Sequence, residues 1–162
     1  MGTHYRGTAA ETRALDTFIK LMRATDSISA DLSRHVAAAG LTLGQFGILE
    51  ALLHLGPMCQ GDLGTKLLRS GSNVTTVIEN LEKRGLVRRT RRDDDRRVID
   101  VSLTPEGRAL IEQLFPAHAR RIVQLLSPLS TKDQLRLGEL CKTLGHAAAR
   151  RSDHSSLFTR NS

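Results

Sequence analysis

Apolar residues recur at helical spacing over most of the chain. Leu15, Phe18, Ile19 and Met22 fall at i, i+3, i+4 and i+7, a single stripe along a helix. Ile28, Leu32 and Val36 extend that stripe toward Gly40. Thr42 followed by Gln45 has the form of a capping box and opens a second helix carrying Phe46, Leu49, Leu52 and Leu53. Gly56-Pro57 stops it. A short helix is predicted over 59–68, with Leu63, Leu67 and Leu68 apolar. A polar break, Arg69-Ser70-Gly71-Ser72, separates it from a helix over 73–84 with Val74, Val77, Ile78 and Leu81 on one face and Gly85 at its end. Two short helices around a tight glycine-containing break form a helix-turn-helix pattern.

The period then changes. Residues 86–90 read as a strand, Arg91-Arg92-Asp93-Asp94 as a turn, and 97–103 alternates with Ile99, Val101 and Leu103 on one side. A hairpin with a charged tip placed after a helix-turn-helix is a winged helix. Thr104-Pro105 starts another helix, with proline at its first position, carrying Leu110, Leu114, Ala117, Arg121 and Leu125 and ending near Pro128. Ser130 and Asp133 open a last one with Leu137, Leu140, Cys141 and Leu144. The expected fold is mainly α with a small β-hairpin wing, in a single domain over 10–149. Within it, 42–104 form the winged helix-turn-helix, and 10–38 and 105–149 are dimerisation helices. Segments 1–9 and 150–162 are polar and expected to be flexible ends. The first and last helices carry more apolar stripe than a small winged helix needs, which points to a second copy of the chain.

Composition narrows the function. The chain has 162 residues, 40% of them hydrophobic and 25% charged, ordinary globular usage. No apolar run is long enough for a spanning helix, and the N-terminal segment lacks the apolar stretch of a secretory signal. No membrane partner is therefore expected. The formal charge is +7 and the pI about 10.2, so nucleic acid is the first partner to test. The charge is concentrated. Eight cations and three acids lie from Lys83 to Arg97, over the end of the helix at 73–84 and the predicted wing. Arginine outnumbers lysine 19 to 5, and its planar fork suits phosphates and guanine edges.

Other chemistry is sparse. Two cysteines cannot build a disulfide framework and fit a reducing cytoplasm. Cys59 falls at a helix start, where a thiolate is favoured, and is a candidate redox or electrophile sensor. Cys141, on an apolar face, reads as structural. The six histidines show no i, i+4 pair and no zinc-type spacing with cysteine, which leaves only a site assembled from His35, His54 and His118. No nucleophile triad, phosphate loop or carboxylate pair stands out, so neither catalysis nor a cofactor is expected.

The stretch GSNVTTVIENLEKRGLVRRTRRDDDRRVIDVSLTPEGRAL resembles the recognition helix, wing and following helix of MarR-family transcription regulators. Its most specific piece is Asp95-Arg96-Arg97 followed by Val101-Ser102-Leu103-Thr104, similar to the family's DxR…VxLT wing. LTLGQFGILEALLHLGPMCQGDLGTKLL resembles the preceding helices, so the resemblance covers about 12–148. The likeness leans toward the quinone- and catechol-responsive branch. It implies a homodimer on a pseudo-palindromic double-stranded DNA operator, usually a repressor released by a small ligand. By position it implies DNA contacts from Ser72, Asn73, Thr75 and Thr76 on the recognition helix, with Thr75 the one of the four that faces inward. Arg97 is implied as a minor-groove arginine oriented by Asp95, since an i, i+2 pair on a strand projects to the same side, and Arg91, Arg92 and Arg96 as phosphate contacts. For a small aromatic effector it points to the junction of the first two helices, where Phe18, Met22, Phe46 and Leu49 are candidates. The rival reading is an architectural, or a metal- or redox-responsive, DNA-binding protein without an aromatic effector.

Overall fold

A computed structural model describes residues 3–67, 71–92, 95 and 97–158, with side chains left out at 71–73 and 149–158. The element order is α1 (Ala9–Ala37), α2 (Leu43–Leu55), β1 (Met58–Cys59), α3 (Gln60–Lys66), α4 (Gly71–Lys83), β2 (Val87–Arg91), β3 (Ile99–Leu103), α5 (Pro105–Leu126) and α6 (Thr131–Phe158). The strands form one antiparallel sheet in the order β1-β3-β2. Helices plus a small winged sheet is the expected class. Two compact units are distinguished, 1–122 and 123–162. Helix α6 continues to Phe158, beyond the residue 149 where the sequence pattern fades.

The first two helices start for a chemical reason. Thr8 and Glu11 form a reciprocal capping box before α1, and Thr42 and Gln45 form another before α2. Ends are equally specific. Gly40 and Gly85 sit at φ 69° and 70°, in the left-handed region. At Gly85 the N–H donates to Glu82 O at 2.8 Å and the next N–H, of Leu86, to Leu81 O at 3.0 Å. That is a Schellman closure, and glycine adopts it without the Cβ penalty. It turns the chain sharply from α4 into β2.

The core lies in the first unit. Phe46, Ile48, Leu49 and Leu52 of α2 pack with Leu63 of α3, Val74, Ile78 and Leu81 of α4, Val87 and Val101 of the sheet, and Ile111 of α5. Helix α1 enters this core through Val36, its one buried residue. Farther along α1, Leu15, Phe18, Leu21 and Met22 are exposed, Phe18 by 58%. In the second unit, Leu135, Leu137, Leu140 and Leu144 of α6 are exposed as well, Leu140 by 54%.

Candidate nucleic-acid interface

Helix α4 is amphipathic, burying Val74, Ile78 and Leu81 and leaving Thr76 and Asn80 exposed. Thr75 is half-buried, and its hydroxyl accepts a hydrogen bond from Gln60 Nε2 of α3 at 2.6 Å. Thr75 thus ties the two helices of the motif together, while Thr76 faces outward. The side chains of Ser72 and Asn73 lie outside the described residues, although both backbones belong to α4.

The wing is braced at three levels. At its root, the Arg89 side chain donates through Nε to Glu82 Oε2 at 2.7 Å, and the Arg89 N–H donates to Glu82 Oε1 at 3.0 Å. Glu79 Oε1 stands 3.6 Å from the same guanidinium. Arg89 holds the Glu82 carboxyl below the usual carboxylate range, through hydrogen bonding first. Midway, Arg92 grips Asp100 across the hairpin in a bidentate pair at 2.7 and 2.9 Å. At the tip, Asp95 Oδ1 accepts from the Arg97 N–H at 3.0 Å and from Arg97 Nε at 3.2 Å. The Arg97 side chain is 92% exposed, so it is held at its base and presented to solvent.

These contacts modify the sequence reading in two ways. Asp95 and Arg97 do meet, but across a turn rather than along a strand. The carboxylate bonds the backbone two residues on, as aspartate does in tight turns. Arg92 is engaged as a cross-hairpin strut. Arg91 is exposed on β2, and Arg96 lies outside the described residues.

A cleft of about 430 Å³ opens between the start of α3 and the wing, lined by Cys59, Gln60, Thr75, Arg97, Val98 and Ile99. Cys59 is half-buried and caps α3, its Sγ accepting from the Asp62 N–H at 3.3 Å. The structure therefore brings Cys59, Thr75 and Arg97 around one opening, a grouping their sequence separation conceals. Gln60 and the Glu82–Arg89 pair have no sequence signal beyond the i, i+3 spacing of Glu79 and Glu82 on one helix face.

The four effector candidates are not brought together. Phe46 and Leu49 are core residues, whereas Phe18 and Met22 are exposed on α1. Eighteen residues separate Phe18 from Val36, roughly 27 Å of helix. Where α1 and α5 do meet, Arg121 grips Asp31 through two bonds of 2.6 Å. Arg121 thereby holds the Asp31 carboxyl below the usual range. Asp31, Arg34, His35 and Arg121 line a cleft of about 290 Å³ there. Beside it His118 is buried, its ring 4.2 Å from Phe46 and 5.8 Å from His35 between centroids. His54 instead packs edge-on against Phe115. Among the described residues no group of three or more histidine, cysteine or carboxylate side chains could hold a metal ion, and no helix is long and apolar enough to cross a membrane.

The family model for MarR matches residues 41–99, which span α2 through the wing. The chain is 33% identical over 133 residues to the HTH-type transcriptional regulator MhqR of Bacillus subtilis, covering 82% of this chain and 92% of that one. The chain belongs to the MarR family. It is a DNA-binding transcription regulator with a winged helix, not an enzyme. Among solved MarR-family structures, AbsC of Streptomyces coelicolor superposes with a TM-score of 0.80 at 22% identity, over 90% of this chain and 99% of that one. BpsR of Bordetella bronchiseptica, whose DNA binding is regulated by 6-hydroxynicotinic acid, superposes with a TM-score of 0.73 at 27% identity, over 80% and 98%.

Proposed function

We propose that this MarR-family chain is a cytoplasmic homodimeric repressor. It places α4 in the major groove and the wing in the adjacent minor groove at each half of a pseudo-palindromic operator. The observation that carries this reading is the wing tip, where Asp95 fixes the base of an arginine whose guanidinium projects into solvent. A narrow minor groove has enhanced negative potential, and an arginine already aimed into it gives up little freedom on binding. Thr76 on the exposed face of α4, with Ser72 and Asn73 at its start, supplies short polar groups for the major groove. A second copy is supported by the exposed apolar residues of α1 and of α6. A helix face with Leu137, Leu140 and Leu144 in water is a candidate interface rather than a finished surface.

Release by a small phenol, catechol or quinone completes the reading. It is supported by the sequence likeness to the quinone- and catechol-responsive branch and by BpsR, a relative controlled by a hydroxylated aromatic acid. The cleft lined by Asp31, Arg34, His35 and Arg121 fits such a ligand better than the four apolar candidates do, because it joins polar groups to a neighbouring ring stack. A ligand that favours a different spacing of the two reading heads weakens DNA binding by its differential affinity for the two arrangements. The test is titration of the operator complex with catechol and with a benzoquinone, for wild type and Cys59→Ser. Reversible binding releases DNA from both proteins. Covalent sensing releases it only from wild type, with an adduct by intact mass. No release by either compound at millimolar concentration refutes the aromatic effector. A full-length protein that sediments as a monomer at micromolar concentration, yet binds operator tightly, refutes the dimer.

A further inference from the structure

We propose that Glu82 and Arg89 form a positioning clamp that sets the placement of the wing relative to α4, so that operator selectivity depends on two residues that touch no DNA. The proposal rests on the reading that α4 and the wing both contact the operator.

Strand β2 lies at the edge of the sheet, where outward N–H groups lack a strand to receive them. The Arg89 N–H is received by the Glu82 carboxylate, from the last turn of α4. The same carboxylate takes the Arg89 side chain, so one group holds both the backbone and the guanidinium of a single strand residue. Two-point attachment fixes register as well as distance. A slip of β2 by one residue reverses which side chains and which N–H groups face α4. From Arg89 the constraint passes along the hairpin. Residues 87–91 pair with 99–103 in continuous register, Arg92 and Asp100 lock the next level, and Asp95 sets Arg97. A reading element must be held to a fraction of an ångström to keep its contacts. These links between α4 and Arg97 are charge-assisted pairs and a strand ladder, joined at the tip by the backbone bonds Arg92 N–H to Val98 O and Val98 N–H to Asp95 O.

Arg89 is also poorly placed for a phosphate. Its side chain is only 30% exposed, against 92% for Arg97, and two carboxylates already face it. Phosphate contact would require breaking the clamp.

The clamp and simple charge effects predict opposite signs for one substitution. Glu82→Gln removes a negative charge near the DNA-facing surface, so electrostatics alone raises affinity for every duplex equally. Loss of positioning lowers affinity for the operator and leaves that for unrelated DNA unchanged or higher. The experiment selects an operator with wild-type protein from a random duplex library. Affinities for that operator and for a scrambled duplex of equal length are then measured for wild type, Glu82→Gln and Arg89→Met. Any loss of folded protein lowers both affinities alike and cancels in their ratio. We expect the operator-to-scrambled ratio to fall at least about fivefold in both variants, on the scale of one misread base pair. Hydroxyl-radical protection in the minor groove should be lost while guanine protection in the major groove persists. The salt slope of Arg89→Met should match wild type. An unchanged ratio in Glu82→Gln, or a salt slope reduced by about one unit in Arg89→Met, overturns the clamp, the latter by making Arg89 a phosphate ligand. Absence of minor-groove protection by wild type overturns the wing reading itself, and the clamp with it.

Discussion

Gly107 offers a substitution for which local propensity and tertiary packing disagree in sign. It stands in the first turn of α5 and is buried. Propensity alone says that alanine there should stabilise the helix by up to about 1 kcal/mol. A methyl at Gly107, however, lands on the backbone carbonyl of Leu86, 2.8 Å from its carbon and 3.2 Å from its Cα. That carbonyl has little room to yield. Leu86 donates to Leu81 O in the Schellman closure and accepts from the Thr104 N–H at 3.2 Å, and its side chain is buried in the core. Thr104 is itself bonded to Gly85 O at 2.7 Å and to the Gly107 N–H at 3.0 Å. Overpacking against such a junction costs about 3 kcal/mol, the upper end of the usual range. Set against the propensity gain, the net loss is about 2 kcal/mol, which for a chain of this size lowers Tm by roughly 4–8 °C. Gly61→Ala is the control, because its methyl meets only Cys59 Sγ at 3.8 Å. Thermal unfolding followed by far-UV circular dichroism measures both. A Tm for Gly107→Ala equal to or above wild type refutes the packing argument and leaves propensity in charge.

The wing makes separable predictions. Arg97→Ala should weaken operator binding by about 1–3 kcal/mol, roughly 5- to 150-fold, with unchanged Tm. Arg91→Ala should weaken all duplexes alike and reduce the salt slope by about one unit; titrations at several salt concentrations distinguish them. His118 should make the fold acid-sensitive. It is 5% exposed, its Nδ1 has no hydrogen-bond partner, and burial followed by the nearby His35 charge pushes its pKa down. The unfolded chain takes up that proton near pH 6.5 and the folded chain only at lower pH. Stability is therefore full above about pH 6.5 and declines as pH falls below it, toward the lower folded value. His118→Phe should flatten Tm against pH in that window, and an unaltered slope would exclude His118 as its source.

The parts of this fold that were legible in the sequence are those set by neighbours in the chain. Thr42 and Gln45 lie three residues apart, and both halves of their capping box form. Gly85 needs only its own backbone to end α4. The hairpin strands announce themselves by alternation at Ile99, Val101 and Leu103. Strand β1 could not be read in this way. It has two residues, Met58 and Cys59, and exists because they meet Val101 and Asp100 of β3. Two residues carry no period, so only the folded register reveals it. The effector candidates divide between core and surface for a related reason. A helical stripe says which face of α1 is apolar, but not which turn enters the core. Val36 does, and Phe18 does not. The turn that joins Asp95 to Arg97 was also hidden, since the same i, i+2 spacing fits a strand.

The arginine-rich block shows why charge is a poor guide to contact. Read along the chain, the cations between Lys83 and Arg97 look equivalent. In the fold they divide by what they hold. Arg84 donates to Gly40 O at 2.8 Å and ties the end of α4 to the loop after α1. Arg89 and Arg92 face carboxylates across short, well-aligned bonds, and such pairs are nearly neutral when seen from more than a Debye length away. Arg97 is also paired, but through its Nε end, with most of its side chain in solvent. The acids that face these arginines therefore do not merely reduce the charge of the block. Glu82, Asp100 and Asp95 each hold an arginine in the geometry of the wing, and the long-range attraction left over comes from exposed cations such as Arg88 and Arg91. A regulator that must find one site among many non-specific ones gains from this division. Attraction to any duplex scales with exposed charge, whereas discrimination comes from groups whose positions are fixed before the DNA arrives.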